Sequence, residues 1–244
     1  MTLAALVKET MRKLGCDVAH YRPLRTDAFA VQKHLLSGHA CRSIFDVGGF
    51  HGDVAQTYAE MFPQAEIYTF EPFPPSHEQL AARFRNNPRI HVVQGAVSSR
   101  SGESTFHVNV NPATNSLLAT GQGAAVEGAA VTTEVISVPT LTLDEFCQSR
   151  ELKAPEILKF DIQGNELEAL RGANHVLQSN GPLLIYLEVL FERLYKNCAL
   201  FCDIAGFLQE KGYELYNLYE LQHSPEGRLE YGDALFVSKR LRSA

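Results

Sequence analysis

Short apolar runs with strand character alternate with stretches of helical period along most of this chain, and that alternation constrains its fold more than any other feature. The runs are SIFDVG (43–48), EIYTFE (66–71), RIHVVQG (89–95), EILKFD (156–161) and LLIYLE (183–188). They are short, β-branched and aromatic, and bounded by turn residues, as strands buried on both faces are. Strands separated by helices predict right-handed crossovers and a mostly parallel sheet covered on both sides, an α/β three-layer sandwich. Two further runs, YELYNLY (213–219) and ALFVSK (234–239), have no helix between them, only a turn-rich segment with Ser224-Pro225-Glu226-Gly227, so they are expected to pair antiparallel.

The intervening segments carry start and stop signals. DVAQTYAEMF places Val54, Tyr58 and Met61 on one face, with Asp53 expected as N-cap and Pro63 ending the helix. The next helix is expected to open at Ser76, with Gln79 completing a capping box, and Thr142-Leu-Asp-Glu145 forms another. NELEALRGANHVLQ turns Leu167, Leu170 and Leu177 inward, and ALFCDIAGFLQEK stops at Gly212. STFHVNV (104–110) is expected to extend the sheet or form a local hairpin. Ahead of the first strand, Leu3, Leu6, Val7, Met11 and Leu14 recur at helical spacing, and a second helix is expected from Asp27, its N-cap, to Leu36. The chain thus divides into an N-terminal helical extension, residues 1–40, and an α/β domain, residues 41–244. Residues 119–133, ATGQGAAVEGAAVTT, are small with one charge and are expected to form a loop inside that domain.

Charge and cysteine content narrow the partners. With 22 Lys and Arg against 28 Asp and Glu, the net charge is −6, and no global basic footprint favours a nucleic acid. The apolar run PLLIYLEVLF is interrupted by Glu188 and falls short of the ~20 residues of a spanning helix. The first residues lack the pattern of a secretory signal. Five cysteines without motif spacing fit a reducing compartment, so a cytoplasmic location is expected.

In a parallel α/β sheet, ligands bind beyond the carboxyl ends of the strands. The first run ends in DVGGFHG, where Gly48, Gly49 and Gly52 allow close backbone approach. Its spacing, D-x-G-x-x-x-G, is neither the dinucleotide fingerprint nor a P-loop. The second run ends at Glu71, 25 residues after Asp46. An ionised carboxylate there accepts from both hydroxyls of a ribose, the role favoured for Glu71; capping the next helix is the alternative. Asp161 and Glu188 close the runs EILKFD and LLIYLE and face the same crevice; capping the following helices is again the alternative. No three-ligand pattern points to a metal, and none is expected. Cys198 and Cys202, four apart on a helix, read as packing, and His51 as a loop-packing residue.

DVGGFHG, FEPFP, QGAVSSRSG, TLDEF and above all LKFDIQGNELEALRGA resemble the FkbM family of S-adenosylmethionine-dependent methyltransferases, with the motifs in the family's order over nearly the whole α/β region. Two positions depart from the family's usual pattern: Phe50 or His51 stands where Asn is usual, and Gln163 where Glu is common. The resemblance implies a class I methyltransferase (Rossmann-like) fold, with a seven-stranded sheet whose last strand is antiparallel, and S-adenosyl-L-methionine as donor. It places the methionine end against Gly48, Gly49 and Gly52, with Asp46 near the donor's amino group or ordering the loop. Glu71 would hold the ribose, and Gly95, Ala96 and Val97 would flank the adenine. It also places Asn115 and Ser116 near the methyl acceptor. In-line transfer to a hydroxyl needs the acceptor oxygen held close and its proton removed, which is the expected role of Asp161, with Glu188 as helper. The expected reaction is O-methylation of a sugar, glycan or small natural product. The rival readings are a nicotinamide-dependent oxidoreductase and a non-catalytic module that binds the donor.

Overall fold

The computed structural model describes residue 13 and residues 27–121, 130–178 and 180–242. The helix expected over residues 3–14 lies, apart from Lys13, outside the described residues. The chain divides into two compact units, Met1–Leu35 and Leu36–Ala244. In the first, helix α1 (Ala28–Leu35) begins where expected. Asp27 Oδ1 accepts from the N–H groups of Phe29 and Ala30 at 2.9 and 3.0 Å, two of the donors a helix start leaves free.

The second unit runs β1 (Ser43–Val47), α2 (Asp53–Met61), β2 (Glu66–Glu71), α3 (Pro74–Phe84), β3 (Ile90–Gln94) and β4 (Ala96–Val97). Next come β5 (Gly102–Asn109), a 3₁₀ turn (Pro112–Thr114), β6 (Thr132–Leu141) and α4 (Leu143–Ser149). It closes with β7 (Ile157–Phe160), α5 (Glu166–Arg171), β8 (Leu184–Leu190), α6 (Phe201–Glu210), β9 (Tyr213–His223) and β10 (Leu229–Ser238).

Seven strands form the main sheet in the order β3-β2-β1-β7-β8-β10-β9. β3, β2, β1, β7 and β8 are mutually parallel, and only β10 opposes its neighbours. This is the seven-stranded sheet with an antiparallel last strand that the resemblance implies. The central strands bury Ile44, Phe45, Val47, Ile157, Leu158 and Phe160, each at most 1% exposed, because helices cover both faces. Phe146 of α4 packs edge-on against Phe45 and Phe70 at 5.8 and 4.9 Å. The chain steps outward from β1 to β3, then returns to the other side of β1 at β7. That reversal is the switch point where a crevice must open.

Several local expectations are corrected. The segment 104–110 neither extends the main sheet nor makes a local hairpin; it belongs to β5 of a second, three-stranded sheet, β4-β6-β5. β5 runs antiparallel to β6 from Gly102 opposite Thr140 to Asn109 opposite Thr132, so Thr132 and Thr133 are strand rather than loop. Residues 122–129 of the Gly/Ala-rich stretch lie outside the described residues. Gly52, at φ 88°, is the N-cap of α2, and Asp53 is its first residue, paired with Arg83 at 2.7 Å instead of capping. α3 opens two residues before Ser76, because Pro74 and Pro75 supply the φ of a first turn and need no N–H partner. Ser76 is therefore inside the helix and caps nothing. Thr142 does cap α4, accepting from Glu145 N at 3.1 Å. α5 ends at Arg171, well short of the expected span, with Gly172 as its C-cap.

Candidate active site

At the switch point the carboxyl ends of β1, β2 and β7 open into a cavity. Its lining includes Gly48, Phe50, Glu71, Ala96, Val97, Phe106, Asn115, Leu117, Asp161 and Gln163. The main sheet supplies the floor, and the small sheet with its 3₁₀ turn supplies the opposite wall.

The glycine bend after β1 is pinned from below. Gly48 and Gly49 N–H both donate to Phe70 O, at 3.0 and 2.9 Å. Gly48 has φ 91°, and a Cβ there would fall 1.9 Å from Asp161 O, so glycine alone lets the ends of β1 and β7 meet. Gly49 and Gly52 do not line the cavity; they bring the bend against Thr69, Leu80 and Phe84 behind it. Phe50 takes φ 43° without being glycine, and Gln163 across the cavity takes φ 57°. Such backbone is sparsely populated by L side chains, and both residues line the same cavity.

Asp46 lies within β1, fully buried, and does not line the cavity. Lys159 Nζ stands 3.1 Å from Asp46 Oδ1, Thr69 Oγ1 donates to Asp46 Oδ2 at 3.0 Å, and Lys159 also donates to Gly48 O at 3.1 Å. Burial works against the ammonium charge of Lys159, but Asp46 and then Asp161 outweigh it and hold its pKa above the ordinary value. Asp46 thus orders the bend through Lys159. Sequence reasoning gave Lys159 no role, although a lysine inside a buried apolar strand signals a charge partner.

Glu71 is 6% exposed. Its Oε2 accepts from Phe50 N at 2.8 Å and its Oε1 from Phe73 N at 2.9 Å, and among the described residues no side chain hydrogen-bonds to it. Burial pushes its pKa up while those two N–H groups pull it back. Glu71 does not cap α3 through its side chain, since the N-cap residue is Phe73. Gly95 and Ala96 with Val97 line the cavity beside it.

The β7–β8 side is built from side chains. Asp161 follows the last residue of β7 and is 49% exposed at the side chain. Glu188 is not a strand end: β8 continues to Leu190 because β10 pairs along it, with Asp233 opposite Glu188. Gln163 joins the two carboxylates, its Nε2 donating to Asp161 Oδ1 at 2.8 Å and to Glu188 Oε2 at 3.2 Å. Tyr195 OH donates to Gln163 Oε1 at 2.6 Å and fixes which way the amide points. Ser116 does not line the cavity; it donates to Gln163 O at 2.8 Å and braces that residue from behind. Neither Asp161 nor Glu188 caps a helix. The buried Glu166 instead holds the turn, accepting from Ile162 N at 3.0 Å and Gly164 N at 3.3 Å.

Burial raises the pKa of Glu188 well above the carboxylate range, and the charges of Asp161 and Glu166 push it further. Burial likewise lifts Glu166 to about 7 and Asp233 to about 6. Such displaced carboxyls concentrate where protons are moved. Among the described residues no group of three or more His, Cys, Asp or Glu is placed to hold a metal ion. His51 is exposed and stacks on Phe50 at 3.8 Å. Cys198 is buried and Cys202 exposed, both free thiols.

This sheet, with its single antiparallel strand and a cavity at the switch point, is the Rossmann-like architecture of class I methyltransferases. Residues 46–215 match the Methyltransferase FkbM domain, and the chain belongs to that family. A hexuronic acid methyltransferase, AglP of Haloferax volcanii, is 25% identical over 176 residues, covering 70% of this chain and 66% of that protein. The 2-O-methyltransferase NoeI of Sinorhizobium fredii is 26% identical, covering 63% and 65%. The chain therefore spans just under two thirds of the length of these relatives. A solved precorrin-6y C5,15-methyltransferase from Geobacter metallireducens aligns over 91% of this chain and 94% of its own, with 13% identity and a TM-score of 0.48.

Proposed function

We propose that the protein is an S-adenosyl-L-methionine-dependent O-methyltransferase whose acceptor is a hydroxyl of a sugar, a glycan or a small natural product. The observation that carries this reading is Glu71: a nearly buried carboxylate on the cavity wall, oriented by two backbone N–H groups. Each of its oxygens keeps a lone pair beyond that bond, the acceptor pair a ribose diol needs. The rest of the cavity fits the same ligand. The bare backbone of Gly48 leaves room for the donor's amino-acid end, and Ala96, Val97, Phe106 and Leu117 offer apolar surface for a flat base. When bound, S-adenosyl-L-methionine supplies a methyl group activated on a sulfonium.

Asp161, exposed at the cavity mouth, orients the acceptor hydroxyl and takes its proton as the new O–C bond forms. Glu188 assists from behind, its position set by the amide it shares with Asp161. Gln163 is neutral, so it joins Asp161 and Glu188 without adding another acid to the cluster. The names of the two relatives, a hexuronic acid methyltransferase and a 2-O-methyltransferase, support a sugar acceptor. A reducing, cytoplasmic setting belongs to the reading, supported by the free thiols of Cys41, Cys147, Cys198 and Cys202. Among the described residues no helix is long and apolar enough to cross a membrane.

Titration calorimetry with S-adenosylhomocysteine and with NAD tests the donor. Binding of the first and not the second is expected; the reverse overturns the reading in favour of an oxidoreductase. Transfer of labelled methyl from S-adenosyl-L-methionine to a panel of neutral sugars, hexuronic acids and oligosaccharides tests the chemistry. Donor binding without transfer to any hydroxyl would mark a non-catalytic module.

A further inference from the structure

Asn115 contributes a polar group to the cavity wall that the reading above leaves unused. Its orientation is fixed by one contact: Asn109 N–H donates to Asn115 Oδ1 at 2.7 Å, so exchanging the amide's oxygen and nitrogen would set donor against donor. Asn109 has no freedom to release it. Its own Nδ2 donates to Thr114 O at 2.6 Å, and its Oδ1 accepts from Thr132 Oγ1 at 2.9 Å. Asn115 Nδ2 is left buried, with no hydrogen-bond partner among the described residues. Buried donors in native proteins are almost always paired, so an unpaired one on a residue that lines the cavity points to a ligand's acceptor as its missing partner. The neighbouring walls, Ala96, Val97, Phe106 and Leu117, are apolar and offer no side-chain acceptor. A slot with apolar walls and one oriented N–H matches a heteroaromatic ring that carries a ring-nitrogen lone pair on its edge.

We propose that Asn115 reads the base of the methyl donor, its Nδ2 donating to a ring nitrogen of the adenine. This rests on the reading of the cavity as a donor site, and it moves Asn115 from the acceptor side, where sequence reasoning put it, to the donor side. The alternative partner, a hydroxyl of the methyl acceptor, predicts a different outcome in the same measurements.

The test is calorimetric binding, independent of turnover, of S-adenosylhomocysteine and its 1-deaza, 3-deaza and 7-deaza analogues to the full chain. The proteins compared are the wild type, Asn115→Ala and Asn115→Asp; the aspartate keeps an oxygen for Asn109 N–H. For S-adenosylhomocysteine, both variants are expected to bind roughly tenfold more weakly than the wild type. Against the wild type, one deaza analogue loses a similar factor, and in Asn115→Ala that specific loss disappears. Should Asn115→Ala fail to fold, as a thermal melt would show, the aspartate variant and the wild-type analogue series decide the matter. Equal affinity of wild type and folded variants for S-adenosylhomocysteine overturns the proposal, as does a deaza loss that persists in Asn115→Ala. A rise in acceptor KM alone also overturns it, returning Asn115 to the acceptor. A wild type that binds no S-adenosylhomocysteine refutes the donor site itself, a failure distinguishable from the others.

Discussion

The two sides of the cavity are made of different materials. Where β1 and β2 end, the wall is backbone, and the charges beneath it are engaged: Asp46 with Lys159 and Thr69, Lys159 with Gly48 O, Glu71 with two N–H groups. On the β7–β8 side Asp161 and Gln163 form the wall, and behind them lie further carboxyls, Glu166 displaced to about 7 and Glu188 raised as well. The first side is suited to holding one shape. The second is suited to changing protonation. On the proposed reading, the donor, whose structure is constant, lies against the fixed side, and the proton-accepting step against the titratable one.

Substitutions can break that contrast in decreasing order of effect. The largest belongs to Lys159→Met, which strands a fully buried Asp46 charge; removing one partner of a buried pair costs about 3–5 kcal/mol, to be read from urea denaturation. Glu71→Ala removes the acceptor of two backbone N–H groups and the proposed ribose anchor, and donor affinity should fall by about 2 kcal/mol in calorimetry. Unchanged affinity would detach the donor from this wall.

A pH-dependent effect comes next. The carboxyl of Glu166 has an ordinary pKa of 4.5 and one of about 7 when folded, so the folded state holds a proton that the unfolded state releases. Its contribution to stability is full below about pH 4.5 and fades as pH rises to about 7, the opposite of a salt-bridged carboxylate. Glu166→Gln keeps an oxygen for Ile162 and Gly164 N–H but cannot ionise. Denaturation midpoints of that variant should lose part of the wild type's decline between pH 5 and pH 7, on the order of 1–2 kcal/mol. An unaltered slope would mean that Glu166 does not titrate there. Asp161→Asn, at an exposed side chain, should shift stability by less than about 0.5 kcal/mol, leave donor affinity intact and depress methyl transfer. Normal turnover in that variant would remove Asp161 from the chemistry.

What could be read from the chain follows from how local each signal is. The five strand runs were legible to within a residue or two because they are short, rich in β-branched and aromatic residues and bounded by turn residues. Gly48 and Glu71 line the cavity because strand ends in this architecture open onto the switch-point crevice. Caps were less so: Asp53 has cap chemistry, but Gly52 occupies the left-handed position one residue earlier. Ser76 and Gln79 have the spacing of a box, but two prolines had already started the helix. The small sheet was illegible because β5 pairs with β6 across a long intervening stretch, beyond the reach of hairpin rules. The hub formed by Gln163, Tyr195 and Glu188 was hidden for the same reason: its contacts join residues 25 and 32 apart in sequence.

One topological detail has a practical consequence. β4 and β6 lie side by side and parallel, Val97 opposite Leu141, so the chain enters and leaves the small sheet through adjacent residues. The described residues between those two points, Phe106, Asn115 and Leu117 among them, form a cassette with a closed stem. Exchanging it for the corresponding stretch of a relative would rewrite one wall of the binding pocket and leave the order of the seven strands untouched.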